Sequence, residues 1–157
     1  MARCLDALSP DERGWGATID GIGGIEKTAL SLKVAVRARE QAWFDAYIFV
    51  TAKTSWLSPR ACARKRWRSL CWTPFRESIR LLERENERQI TDALERRHAL
   101  LDALRGRRAL LVWDNLENLT ADERDLIAEF LRKLPAPNKA IITSRYRTGE
   151  SACAKDA

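Results

Sequence analysis

Four short apolar runs alternate with longer stretches whose apolar positions recur at helical spacing. GATIDG (16–21) reads as a strand that runs straight into a glycine-rich turn. KTALSLKVAVRARE (27–40) then places Leu30, Val34 and Ala38 on one stripe, flanked by Leu32 and Ala35, which predicts an amphipathic helix. FDAYIFVTA (44–52), rich in β-branched and aromatic residues, reads as a second, buried strand. Strand, loop, helix and strand make a βαβ unit, and therefore a parallel sheet.

The pattern breaks over residues 53–74, which carry Pro59 and Pro74. Helical spacing returns with Phe75, Ile79 and Leu82, then with Ile90, Leu94, Leu101 and Leu104, and Gly106 supplies a C-terminal stop. RRALLVWDN (107–115) is an apolar run ending in an acid, as expected of a central strand buried on both faces. In the next stretch Thr120 and Glu123 have the spacing of a capping box. Leu126, Ile127, Phe130, Leu131 and Leu134 form the apolar face of the helix it opens, and Pro135 with Pro137 ends it. KAIITSR (139–145) reads as a fourth strand. There is no internal repeat, and the segment 148–157 is expected to be a flexible tail.

Composition narrows the function classes. An apolar share of 45% and a charged share of 32% suit a soluble globular domain. No apolar run approaches the ~20 residues of a membrane helix. The first 15 residues lack the apolar core of a signal peptide, so a cytoplasmic protein without a membrane partner is expected. Cys4, Cys62, Cys71 and Cys153 show no C-x-x-C spacing and read as free thiols. The one histidine, His98, reads as a helix-surface residue, which leaves no imidazole metal site to build.

The net charge of +6 has a local origin. Residues 60–76 hold Arg60, Arg64, Lys65, Arg66, Arg68 and Arg76 with no acid, and the other 22 basic residues balance the 22 acids. Trp67 and Trp72 interleave with the patch as base-stacking platforms would. A basic, irregular insertion spanning 54–75 is preferred here over a nucleic-acid interface.

The candidate chemistry lies at three strand ends. Between the first strand and its helix, DGIGGIEKTAL (20–30) approaches the pattern G-x-x-x-x-G-K-[ST]. In such loops backbone N–H groups converge on phosphate oxygens at a helix N-terminus. Gly21, Gly23 and Gly24 supply the turn, Lys27 the charge and Thr28 a hydroxyl. The second required glycine is replaced by Glu26. The third apolar run delivers Asp114, in the manner of a strand that presents a metal-coordinating carboxylate. The fourth ends in Thr143, Ser144 and Arg145, where open α/β sheets place their ligands.

In order and wording, TIDGIGGIEKTAL, FDAYIFVTAKTSWL, RALLVWDNLENLT and NKAIITSRYRTGES resemble the NB-ARC branch of the STAND class of P-loop NTPases, over about residues 13–152. The resemblance implies a three-layer P-loop NTPase fold with a parallel sheet of about four strands, occupying 13–147 behind an N-terminal extension (1–12). It implies a signalling switch that holds ADP at rest and exchanges it for ATP. The phosphates would lie against Lys27 and the loop residues Gly21, Gly23, Gly24, Ile25, Glu26, Thr28 and Ala29. Thr28 and Asp114 would bind Mg²⁺, Arg145 would sense the γ-phosphate, and Arg13 would lie near the adenine and ribose.

Three departures set expectations for activity. Glu26 brings a carboxylate towards a polyanion; two like unit charges 4 Å apart cost on the order of 4 kcal/mol at an effective dielectric of 20. With partial neutralisation by Lys27, a loss of roughly ten- to a thousandfold in affinity is expected. Asn115 stands where the family has an acid after the metal-binding Asp, and an amide cannot take a proton from water. Glu117 could substitute if the strand end bends, so hydrolysis is expected to be slow or absent. Finally, the family continues past Arg145 with a fifth strand, a helical lid and a winged-helix region. The expected fold is therefore incomplete at its C-terminus, and partner protein chains would be engaged through those downstream regions. The alternatives are a nucleotide-free interaction module and, less favoured, nucleic-acid binding through 60–76.

Overall fold

The computed structural model describes residues 1–22, 26–52, 78 and 93–145. The expected insertion at 54–75, the first helical stripe from Phe75, Ile90, the tail at 148–157 and the cysteines beyond Cys4 lie outside them. The chain is α/β. Its elements run α1 (Ala2–Leu8), β1 (Gly16–Asp20), α2 (Lys27–Glu40), β2 (Ala46–Thr51), α3 (Ala93–Leu104), β3 (Ala109–Asp114), a 3-10 turn (Leu116–Asn118), α4 (Ala121–Arg132) and β4 (Lys139–Ser144). The four strands form one parallel sheet in the order β1-β4-β3-β2.

The two centre strands are buried at every position, which is why their sequences are unbroken apolar runs rather than alternations. The pleat sends alternate residues to opposite faces. Leu110, Val112 and Ile141 pack with Val34 and Ala38 of α2 and Leu8 of α1. Leu111, Trp113, Ala140 and Ile142 pack with Leu100, Leu101 and Leu104 of α3 and Ile127, Phe130 and Leu131 of α4. Helices thus cover both faces of the sheet, and Trp113 lies against Phe130 with ring centroids 5.2 Å apart.

Several expectations need correcting. Among the described residues β2 lies at an edge of the sheet, with Phe49 38% exposed, and is not a fully buried strand. Leu32, which flanks the expected stripe of α2, is 44% exposed, and Leu94, expected on the apolar face of α3, is 48% exposed. Leu32 is out of phase with Leu30 and Val34, and α3 instead buries the aliphatic stem of Arg97, whose guanidinium pairs with Glu129 of α4. The segment 1–12 contains a helix whose Leu8 is completely buried. The capping box forms as expected: Thr120 accepts from the Glu123 N–H and Glu123 accepts from the Thr120 N–H. His98 is exposed on α3, and no described helix is long and apolar enough to cross a membrane.

Two buried polar residues and one glycine fix the sheet to its connections. Asn138 Oδ1 accepts from the Ala109 N–H (2.8 Å), and its Nδ2 donates to the carbonyls of Leu104 (2.9 Å) and Pro135 (2.8 Å). It thereby joins the end of α3, the start of β3 and the approach to β4. Lys139 Nζ donates to the carbonyls of Glu12 and Gly14, each at 2.6 Å. Gly16 adopts φ +139, and a Cβ there would lie 1.9 Å from the Ala140 carbonyl oxygen. Only glycine lets β1 approach β4 so closely.

Candidate functional site at the carboxyl ends of the strands

Because all four strands are parallel, their carboxyl ends share one edge of the sheet, where ligands of open α/β folds bind. The register sets Asp20 beside Ser144, Trp113 beside Ile142, and Thr51 beside Asp114. Four chain segments distant in sequence therefore bring their polar ends together.

Asp114 is the centre of this cluster and is buried. Its Oδ1 accepts from the hydroxyls of Thr28 (2.8 Å) and Thr143 (2.6 Å). Its Oδ2 accepts from Thr51 Oγ1 (3.2 Å) and Asn115 Nδ2 (3.0 Å). Four donors on one carboxylate satisfy a charge that would otherwise be costly to bury. Asn115 Nδ2 also reaches Thr51 Oγ1 (3.2 Å), and its backbone N–H donates to Thr143 Oγ1 (3.0 Å).

Lys27 opens α2 and is buried, 6% exposed. Its ammonium folds back on the preceding loop and donates to the carbonyls of Gly21 (2.8 Å) and Ile22 (3.2 Å). Thr28 follows in the same turn and gives its hydroxyl to the cluster, while the Lys27 ammonium stays on the loop carbonyls. Glu26 is the N-cap residue and is exposed; its side chain makes no capping bond, and its carbonyl accepts from the Leu30 N–H (2.8 Å). Its carboxylate sits at the positive end of the α2 dipole, where any anionic ligand of that helix would have to come.

Beyond Asp114 the chain bends sharply. Asn115 is left-handed (φ 63), a conformation asparagine tolerates better than most residues, and the 3-10 turn follows at once. This bend carries Glu117 back towards β4, where Oε1 lies 3.0 Å from Nε of Arg145. The strand end therefore does bend, but it delivers Glu117 to Arg145.

Of the residues expected at the site, the structure brings together Gly21, Lys27, Thr28, Asp114 and Asn115, with Glu117 and Arg145 paired beside them. Glu26 and Ala29 stand at the start of α2. Gly23, Gly24 and Ile25 lie outside the described residues. Arg13 is exposed in the segment entering β1, at the opposite, amino-terminal end of that strand. Thr51 belongs to the cluster and was not foreseen from the sequence; its signal was a polar residue closing the apolar run YIFVT, as Asp114 closes ALLVWD.

Among the described residues no group of three or more His, Cys, Asp or Glu side chains could cage a metal. One carboxylate beside one hydroxyl is nevertheless a hard-oxygen donor pair of the kind that suits Mg²⁺, an ion that takes most of its remaining ligands from water and phosphate. Set against known proteins, the chain matches no family model and no curated protein.

Proposed function

We propose that this chain carries the phosphate-binding part of a nucleotide-controlled switch, a P-loop NTPase of the STAND kind that binds ADP and ATP. The observation that carries the reading is the meeting of Thr28 and Thr143 at one oxygen of Asp114, with Lys27 preceding Thr28 at the start of α2 and its ammonium held on the loop carbonyls of Gly21 and Ile22. The strand order β1-β4-β3-β2 supports it, being four-fifths of the 5-1-4-3-2 order of that class. Lys27 would turn from the loop carbonyls to the phosphates. Thr28 and Asp114 would hold Mg²⁺, which when bound supplies charge neutralisation to the polyphosphate. Asn115, with its amide committed to Asp114 and Thr51, has no basic group to offer a water, so the activity is a slow or absent ATP hydrolysis. Signalling to other protein chains would follow from the exchange of ADP for ATP.

Titration with a fluorescent ADP or ATP analogue, beside a Glu26→Gly variant, tests the reading. Micromolar to millimolar binding that tightens in Glu26→Gly is the expected result. Absence of binding by both proteins at millimolar nucleotide would overturn it. A second reading, a nucleotide-free interaction module, draws support from one observation: Asp114 and Lys27 are already satisfied by protein groups. It predicts no melting shift with nucleotide, whereas a ligand at about 100 Kd adds roughly 2.7 kcal/mol of stability.

A further inference from the structure

Glu117 is an acid held where acids are seldom left. Its side chain is 8% exposed, while that of its partner Arg145 is 61% exposed. Oε1 faces the guanidinium at 3.0 Å, and the buried Oε2 meets no hydrogen-bond partner among the described residues. Such a carboxylate depends on its countercharge, because withdrawing the guanidinium leaves a largely buried acid uncompensated, even though Arg145 itself is mostly exposed. Arg145, for its part, is a long and mostly exposed side chain that would spread over many rotamers without an anchor.

The pair sits beside the Asp114 cluster and is built from the same two strand ends. The Asn115 N–H bonds to Thr143 Oγ1, and two residues further along each segment Glu117 meets Arg145. On its other side Arg145 follows Ser144, which is in register with Asp20, so it emerges level with Gly21, the residue whose carbonyl holds the Lys27 ammonium. One arginine thus pairs with a buried carboxylate and directly follows the strand that neighbours β1, the strand leading into Gly21.

We propose that Glu117 is a positioning residue that sets the preference between nucleoside diphosphate and triphosphate, by competing with the terminal phosphate for Arg145. This rests on the phosphate-binding reading above. A triphosphate can attract Arg145 only by stripping Glu117 of its countercharge, and that penalty offsets much of the gain from the added phosphate. A diphosphate leaves the pair intact. The natural chain is therefore biased towards the diphosphate, and the bias resides in Glu117.

The test is a double-mutant cycle on the ratio of ATP to ADP affinity, measured with Glu117→Gln, Arg145→Ala and the double variant, each in the natural chain and with Glu26→Gly. Glu117→Gln should raise the ratio by about tenfold, and the same change should do nothing once Arg145 is alanine. Nucleotide binding with a ratio that Glu117→Gln leaves unmoved overturns the proposal alone. So does a loss of hydrolysis at constant ratio, the signature of a general base. If no variant binds either nucleotide at millimolar concentration, the phosphate-site reading falls and takes this one with it. The pair is checked independently by melting without nucleotide: Arg145→Ala should lower Tm more in the natural chain than beside Glu117→Gln. Equal losses would show that the two side chains do not depend on each other.

Discussion

The hydroxyl of Thr28 donates to Asp114 over 2.8 Å, joining the first turn of α2 to the end of β3 across 86 residues of sequence. Thr143 donates to the same oxygen from β4. The start of one helix and the ends of two strands are thereby held at fixed distances by a single charge. A pre-organised cluster of this kind lets a ligand bind without first ordering the groups that receive it.

That geometry makes Asp114→Asn informative. The substitution keeps the shape but turns one oxygen into an amide donor. Facing Thr51 and Asn115, the new donor meets the Asn115 amide head-on; facing Thr28 and Thr143, it forces both hydroxyls to reverse. A stability loss of about 1–3 kcal/mol is expected by urea denaturation. Magnesium-dependent nucleotide affinity should fall at least tenfold, while any magnesium-independent component should change little.

Asn138 should behave differently, as a purely structural residue. Alanine there strips the Ala109 N–H and the carbonyls of Leu104 and Pro135 of their side-chain partner. The Leu104 and Pro135 carbonyls keep the backbone N–H groups of Arg107 and Asn138, so the Ala109 N–H bears most of the loss, and a cost of roughly 1–3 kcal/mol is expected. Nucleotide binding measured well below the melting transition should be unaltered, because Asn138 lies at the amino-terminal end of the sheet.

How far the sequence foretells this arrangement depends on where the deciding interactions lie. The centre strands are legible because burial on both faces leaves no polar position in LLVW or AII, and α2 is legible down to its bounds. The helix α1 is not, since seven residues carry too little periodicity and Leu8 is positioned by contacts with residues of α2 and the sheet. Thr28, Asp114 and Arg145 stand out because each ends or begins an element. Thr51, Asn138 and the Glu117–Arg145 pair do not, because their partners lie between 3 and 64 residues away and no local rule requires them. Polar residues that serve remote backbone groups look, in sequence, like any other surface polar residue.

Gly16→Ala should be among the most damaging single changes in the chain. The added methyl would overlap the Ala140 carbonyl oxygen at 1.9 Å, and the φ of +139 is itself strained for an L-residue. Backbone on both sides must move, which separates β1 from β4. A loss of about 3 kcal/mol or more is expected, visible as a strongly lowered Tm or as insoluble protein. Near-native stability would mean that β1 does not pair with β4 in the register observed.

Lys139 provides a pH-dependent counterpart. Desolvation by burial lowers its pKa below the ordinary 10.5, outweighing the smaller opposite influence of Glu12. Below both pKa values the ammonium is charged in the folded and unfolded chains alike, and folding bears the full desolvation cost. As pH rises through the folded value, the native state releases its proton first, so the unfolded chain binds more protons and stability increases with pH. The gain ends once pH passes the unfolded value near 10.5. For one proton the slope cannot exceed about 1.4 kcal/mol per pH unit. Urea denaturation between pH 8 and about 10, compared with Lys139→Met, isolates the effect because other alkaline titrations are common to both proteins. The stability of the natural chain minus that of the variant should rise as pH increases. A difference that stays flat, or that shrinks with pH, would show that the Lys139 ammonium is solvated in the native state.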